Sequence, residues 1–132
     1  MSFEFINPES WGRPRGYAHG VLVPAGGRLL FIAGQIGWDE RQRLVSADFV
    51  AQFDRALANL IAVVRAAGGT PAQLARLVIY VTDKREYRAR THELGACWRA
   101  RMGQHYPAMA LVEVKGLLED GAKVEIEGIA VL

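Results

Sequence analysis

The stretch SADFVAQFDRALANLIAVVRAAGGTPAQLARLVIYVTDKRE, residues 46–86, changes its hydrophobic period twice, and those changes decide the fold class. Phe49, Phe53, Ala56, Leu57, Leu60, Val64 and Ala67 recur at spacings of three and four, the stripe of an amphipathic helix. Ser46 is placed to cap its start, Asp48 sits favourably in the first turn, and Gly68-Gly69 supplies the stop. Thr70-Pro71-Ala72-Gln73 is a second start signal, with proline at the first helical position and Gln three residues after the cap. It predicts a short turn of helix leading into the strand Leu77–Val81. Asp83-Lys84-Arg85-Glu86 then opens another helix, expected to run to about Met102 on a stripe of Tyr87, Leu94, Trp98 and Met102.

Outward from this stretch, the apolar runs Val21–Val23 and Arg28–Ile32 flank Pro24-Ala25-Gly26-Gly27, the pattern of a β-hairpin. Ala33-Gly34-Gln35 ends the second run, where the missing Cβ of Gly34 permits a close approach. Toward the C-terminus, two strands are expected at Ala110–Val114 and Lys123–Val131, joined around Asp120-Gly121. The residues between Ser10 and Gly20 read as a loop. The predicted order is β-β-α-β-α-β-β, an α+β two-layer sandwich with both helices on one face of a mostly antiparallel or mixed sheet. Alternation along the last strand puts Glu125, Glu127, Ile129 and Val131 on the uncovered face. Carboxylates among aliphatics there suggest a subunit interface, and hence a homo-oligomer.

Composition bounds the function. The 132 residues form a single domain, 1–132, with 51% hydrophobic and 23% charged residues, enough apolar material for a core. No apolar run is long enough to span a bilayer, and Met1–Pro8 has no signal-peptide pattern, so a cytoplasmic location is expected. One cysteine, Cys97, excludes an internal disulfide, and His19, His92 and His105 lack ligand spacing, so no metal is expected. Cys97 itself reads as a small apolar helix residue, and His92 as solvated. Six basic residues lie between Lys84 and Met102, yet the net charge is only +2, which argues against a nucleic-acid partner. Arg90 and Arg101 flank the apolar stripe and read as snorkelling side chains. Glu113 and Glu127 read as outward-facing or interface-paired carboxylates, leaving Glu125 as the candidate for handling a water.

Seven segments, in order, resemble the Rid/YjgF family of enamine/imine deaminases. They are Ala33-Gly34-Gln35-Ile36, the helix Gln52–Leu60, Ala67-Gly68-Gly69, Val81-Thr82-Asp83, Tyr106-Pro107-Ala108, Val112-Glu113-Val114 and Glu125–Val131. The resemblance implies a chorismate-mutase-like fold and a homotrimer with its helices outside and small-molecule ligands in inter-subunit clefts. It further implies hydrolysis of a 2-imino or 2-enamine acid to the 2-keto acid and ammonia, without metal or cofactor. By position, Tyr17 matches the tyrosine closing the cleft, Gly34 the strand end lining it, and Glu125 the glutamate that positions the attacking water.

Where the family's deaminases carry the arginine of Pro-Ala-Arg, this chain reads Pro107-Ala108-Met109. A thioether cannot pair with the substrate carboxylate, and losing such a buried charge-assisted pair costs ~2–5 kcal/mol. That equals about 30-fold to several thousand-fold in affinity. Ala33 and Gly95 also stand where many members carry Ser and Asn. Three readings follow. In the first, the chain is a deaminase whose substrate is less acidic, or whose clamp is Arg13 or Arg15. In the second, it binds a more apolar molecule beside Met109 or hydrolyses another C–N bond. An RNA-directed or chaperone-like role is the third, supported only by the basic helix.

Overall fold

The computed structural model describes residues 2–132, so Met1, the first residue of the amino-terminal reading above, lies outside the described residues. Six strands and three helices follow in the order β1 (Glu4–Ile6), β2 (Gly20–Leu22), β3 (Leu29–Ile36), α1 (Phe49–Ala66), β4 (Leu74–Val81), α2 (Lys84–Ala89), α3 (Thr91–Met102), β5 (Ala108–Glu113) and β6 (Val124–Val131), with a 3-10 turn at Pro71–Gln73. The main sheet runs β3-β6-β4-β5, antiparallel except for the parallel pair β4 and β5. The α+β two-layer reading stands: α1 and α3 cover one sheet face.

Alternation in β4 and β6 builds the core between these layers. Leu77, Ile79 and Val81 with Val124, Ile126 and Ala130 meet Phe53, Leu57, Leu60 and Val64 of α1, all buried. The opposite parity, Val78 and Tyr80 with Glu125, Glu127 and Ile129, faces away and is only half-buried. The exception is Val131, expected on the open face but buried, because its Cγ1 packs against Gly27.

Four local expectations are corrected. The hairpin across Pro24–Gly27 does not form. β2 pairs instead with β1, and β3 pairs with β6. The backbone of Arg28 exchanges two hydrogen bonds with Leu132, so the end of the chain takes the place of the adjacent run. Asp48, not Ser46, caps α1, its carboxylate accepting from Ala51 N at 3.1 Å, while Ser46 Oγ accepts from Asp48 N. The helix expected from Lys84 to Met102 is two helices, because the backbone of Arg90 leaves the helical region (φ −120°, ψ 20°). The break has a tertiary anchor: the Arg90 guanidinium donates to Asp48 at 3.0 Å and to both oxygens of Glu93 at 2.6 and 2.8 Å. Arg90 and Arg101 are therefore ion-paired rather than merely snorkelling, Arg101 holding Asp54 of α1 through two bonds of 2.7 and 3.0 Å.

The loop joining β5 to β6 is tied to α1 by one buried amide. Gln52 Nε2 donates to the carbonyls of Ser46 and Gly121, and its Oε1 accepts from Lys123 N. This fixes the start of β6 relative to α1, and with it the position of Glu125 on the opposite face of the sheet.

Candidate functional site

Glu125 lies on the open sheet face and touches Gly34 of the neighbouring strand. A Cβ built on Gly34 would fall 2.7 Å from Cδ and 2.9 Å from Cγ of Glu125, so glycine leaves the room this carboxylate occupies. Glu125 makes no ion pair or side-chain hydrogen bond among the described residues, a rare state for a half-buried carboxylate. Its neighbour behaves differently. Glu127 accepts a hydrogen bond from Tyr80 Oη, and this bond is the main reason the Tyr80 hydroxyl titrates above the ordinary phenol value. Glu113, read as a similar outward carboxylate, caps α2 by accepting from Lys84 N at 2.9 Å.

Tyr17 and Met109 lie together elsewhere. The Ser10–Gly20 loop is clipped to β5 by an isolated bridge between Ala18 and Ala108 and by Ala18 N donating to Pro107 O. That clip sets Tyr17 beside Met109, which occupies β5 in register with the buried Leu77 and packs on the helix side of the sheet. Both line a groove of about 730 Å³ between β5 and α3. Its floor is apolar and aromatic: Leu94 and Trp98 of α3, Tyr106, Met109 and Leu111. Trp98 and Tyr106 stack at 6.0 Å and 10°, and Trp98 Nε1 donates to His105 O, which locks the indole.

The four residues singled out from sequence thus form two pairs. Gly34 and Glu125 share the open face; Tyr17 and Met109 share the groove. Glu125 and Met109 point to opposite faces of the sheet, two strands apart (about 10 Å across it) and three residues apart in register (about 10 Å along it) at the usual spacings. A small imino acid cannot reach both within one chain.

Of the two alternative cations, Arg15 lines the groove with Met109, whereas Arg13 lines a separate cavity of about 420 Å³ near Trp11. Sequence reasoning missed Arg99, which also lines the groove. Residue type alone places it among the six basic residues of Lys84–Met102, although its position four residues after Gly95 is a readable signal. Cys97 is half-buried on α3 beside Asp54, and burial pushes its thiol above the ordinary range. His92 is exposed, and no three His, Cys, Asp or Glu side chains cluster as metal ligands among the described residues. Among the described residues no helix is long and apolar enough to cross a membrane.

Comparison with known proteins agrees with this architecture. The family model described as Endoribonuclease L-PSP matches residues 13–132, nine-tenths of the chain. The chain belongs to the Rid/YjgF family. A crystal structure from Yersinia pestis, described as a protein of unknown function of the conserved Rid family, YyfB, superposes with a TM-score of 0.88 at 34% identity, covering 100% of both chains. Protein DfrA of Myxococcus xanthus is 37% identical over 120 residues, covering 87% of this chain and 84% of that protein. The 2-iminobutanoate/2-iminopropanoate deaminase of Salmonella typhimurium is 32% identical over 118 residues, 87% of this chain and 86% of that one. The relation therefore spans both halves of the candidate site, from Arg15 to Glu125.

Proposed function

We propose that this Rid/YjgF protein is a RidA-like hydrolytic deaminase of reactive imine and enamine intermediates. It works in the cytoplasm as a homotrimer, with ligands in inter-subunit clefts. The observation that carries the reading is the unpaired Glu125 carboxylate held on an open sheet face by the space at Gly34.

The chemistry asks little of the protein. An iminium carbon is already electrophilic, so hydrolysis needs a positioned water, a base and an oriented substrate, and neither metal nor cofactor. Glu125 accepts a proton as the water oxygen bonds to the carbon. It returns that proton to nitrogen; the C–N bond of the carbinolamine then breaks as its hydroxyl becomes the carbonyl and gives its own proton to the freed Glu125 carboxylate. The products are a 2-keto compound and ammonia. An enamine enters the same path after protonation at carbon.

The trimer reading is supported by the separation of the two pairs and by the apolar character of the open face. Phe31 is 70% exposed and Leu29 59%, and Val112 is exposed as well, on the face that carries Glu125. In the proposed trimer a neighbouring protomer supplies Tyr17 and Met109 opposite Glu125.

The test generates 2-iminobutanoate with an amino-acid oxidase, traps unreacted imine with semicarbazide, and compares wild type with Glu125→Ala and Met109→Arg. Wild type is expected to suppress semicarbazone formation, and Glu125→Ala to lose about 100-fold or more in kcat. An active protein indifferent to Glu125→Ala would remove the water-positioning role. A wild type inert on this imine and on larger ones would remove the deaminase reading.

A further inference from the structure

Building on the deaminase reading, we infer that Arg99 of α3, assisted by Arg15 of the Tyr17 loop, binds the substrate carboxylate in place of a cation at position 109. The substrate is accordingly a 2-imino acid with a bulky apolar or aromatic side chain. Arg99 and Arg15 are the two cations among the residues lining the groove. Neither has a carboxylate within 4 Å among the described residues, whereas Arg55, Arg85, Arg90 and Arg101 all do. Other basic residues of the same helical region, Arg85 and Arg88, lie outside the groove lining.

Arg99 is shaped to the groove by a glycine. Its side chain runs back along α3, the direction helix side chains take, and Nη1 lies 3.1 Å from where a Cβ on Gly95 would stand. A larger residue at position 95 would press on the guanidinium. The planar fork is then free to take a carboxylate bidentately, the strongest form of this pairing.

The floor selects the rest of the molecule. Besides the two arginines the groove offers Met109, Leu111, Tyr106 and the locked Trp98. With the acid group drawn toward α3, a two- or three-carbon imine would leave this apolar surface in water. A phenyl or branched aliphatic side chain covers it, and Met109 is the adaptable residue against which such groups pack. Methionine at 109 is thus part of a different specificity, in which charge and apolar contact have exchanged places along the cleft.

The experiment uses the full-length protein and two readouts. Oxidase-generated imines of phenylalanine, leucine and alanine are compared by semicarbazide trapping, and binding of phenylpyruvate, a stable product analogue, is measured by calorimetry. Wild type is expected to favour the phenylalanine or leucine imine over the alanine imine by about 10-fold or more in kcat/KM, the scale of a few buried methylenes. Arg99→Ala should raise KM and the phenylpyruvate Kd by about 10–100-fold, as loss of a charged hydrogen-bonded pair does, with kcat held within about threefold. Arg99→Lys should recover part of the affinity, and Arg15→Ala should show a smaller rise. Equal phenylpyruvate affinity in wild type and Arg99→Ala, or a preference for the alanine imine, overturns the inference while leaving the deaminase reading intact. If wild type hydrolyses no imine, the deaminase reading falls. Arg99-dependent phenylpyruvate binding would then still support the clamp, and its absence would dispose of both.

Discussion

The side chain of Glu125 occupies the space that a side chain at Gly34 would fill, across the β3–β6 pair. The atoms a new Cβ would meet belong to the flexible end of Glu125, not to backbone, and Gly34 has no positive φ. A methyl group there displaces the carboxylate at little cost to the fold.

Gly34→Ala is therefore expected to keep stability within ~1 kcal/mol of wild type, the scale of an exposed glycine replacement. Deaminase turnover should nevertheless fall by about 10-fold or more, because the base is moved from its water. Urea unfolding and the trapping assay, run on the same sample, separate the two. Unchanged kcat would mean that the contact does not set the carboxylate's position.

Gln52 is fully buried and serves three backbone groups of two different loops. Gln52→Leu keeps the volume and leaves the carbonyls of Ser46 and Gly121 and the N–H of Lys123 without that partner. At ~1–3 kcal/mol for a stranded buried group, with some rescue by water, the expected loss is ~2–4 kcal/mol. It should appear as a lower urea midpoint at constant slope. A loss below ~1 kcal/mol would show that the loops rehydrate freely.

Asp54 is held below its ordinary carboxylate range first by its hydrogen bonds to Arg101. A folded-state value below the unfolded one gives stability that is complete above the unfolded carboxylate value, about 3.9, and is lost as pH falls through the folded value. Both partners are more than a third exposed, so solvent screening holds the effect to ~0.5–1 kcal/mol. Wild type should exceed Asp54→Asn in stability at pH 6, and the gap should close as the pH is taken below about 4. A gap that widens on acidification would contradict the sign.

Phe31 stands on the open face beside Ile129 of β6 and is largely uncovered in one chain. Phe31→Asp should leave the circular dichroism of the fold unchanged and convert a three-chain species into monomer, with loss of deaminase activity. Sedimentation of the wild type as a monomer would remove the inter-subunit cleft, since Glu125 and Met109 would then have nothing to bring them together.

The elements that repeat a local pattern were legible in the chain itself. The stripe Phe49 to Val64 lies within the roughly five turns of one helix, and the capping signals at Thr70 and Asp83 need only neighbours in sequence, so both appear where expected. The parity of Glu125 and Glu127 follows from the strand period alone, and it put the right face outward. What failed was pairing and interruption. The run at Val21 had a turn beside it and a closer partner in space, and Arg90 broke a helix through a carboxylate 42 residues away in the chain.

The candidate site divides the same way. Glu125, Gly34, Tyr17 and Met109 could be named from residue type and position, because alternation and family likeness act residue by residue. That they form two pairs on opposite sheet faces, that Arg15 and not Arg13 shares the groove with Met109, and that Arg99 joins it, depend on strand order and on the Ala18–Ala108 bridge. Local periodicity determines which way a side chain points. Only the packing of distant segments decides what it points at, because that choice is set by burial and hydrogen-bond satisfaction summed over the whole fold.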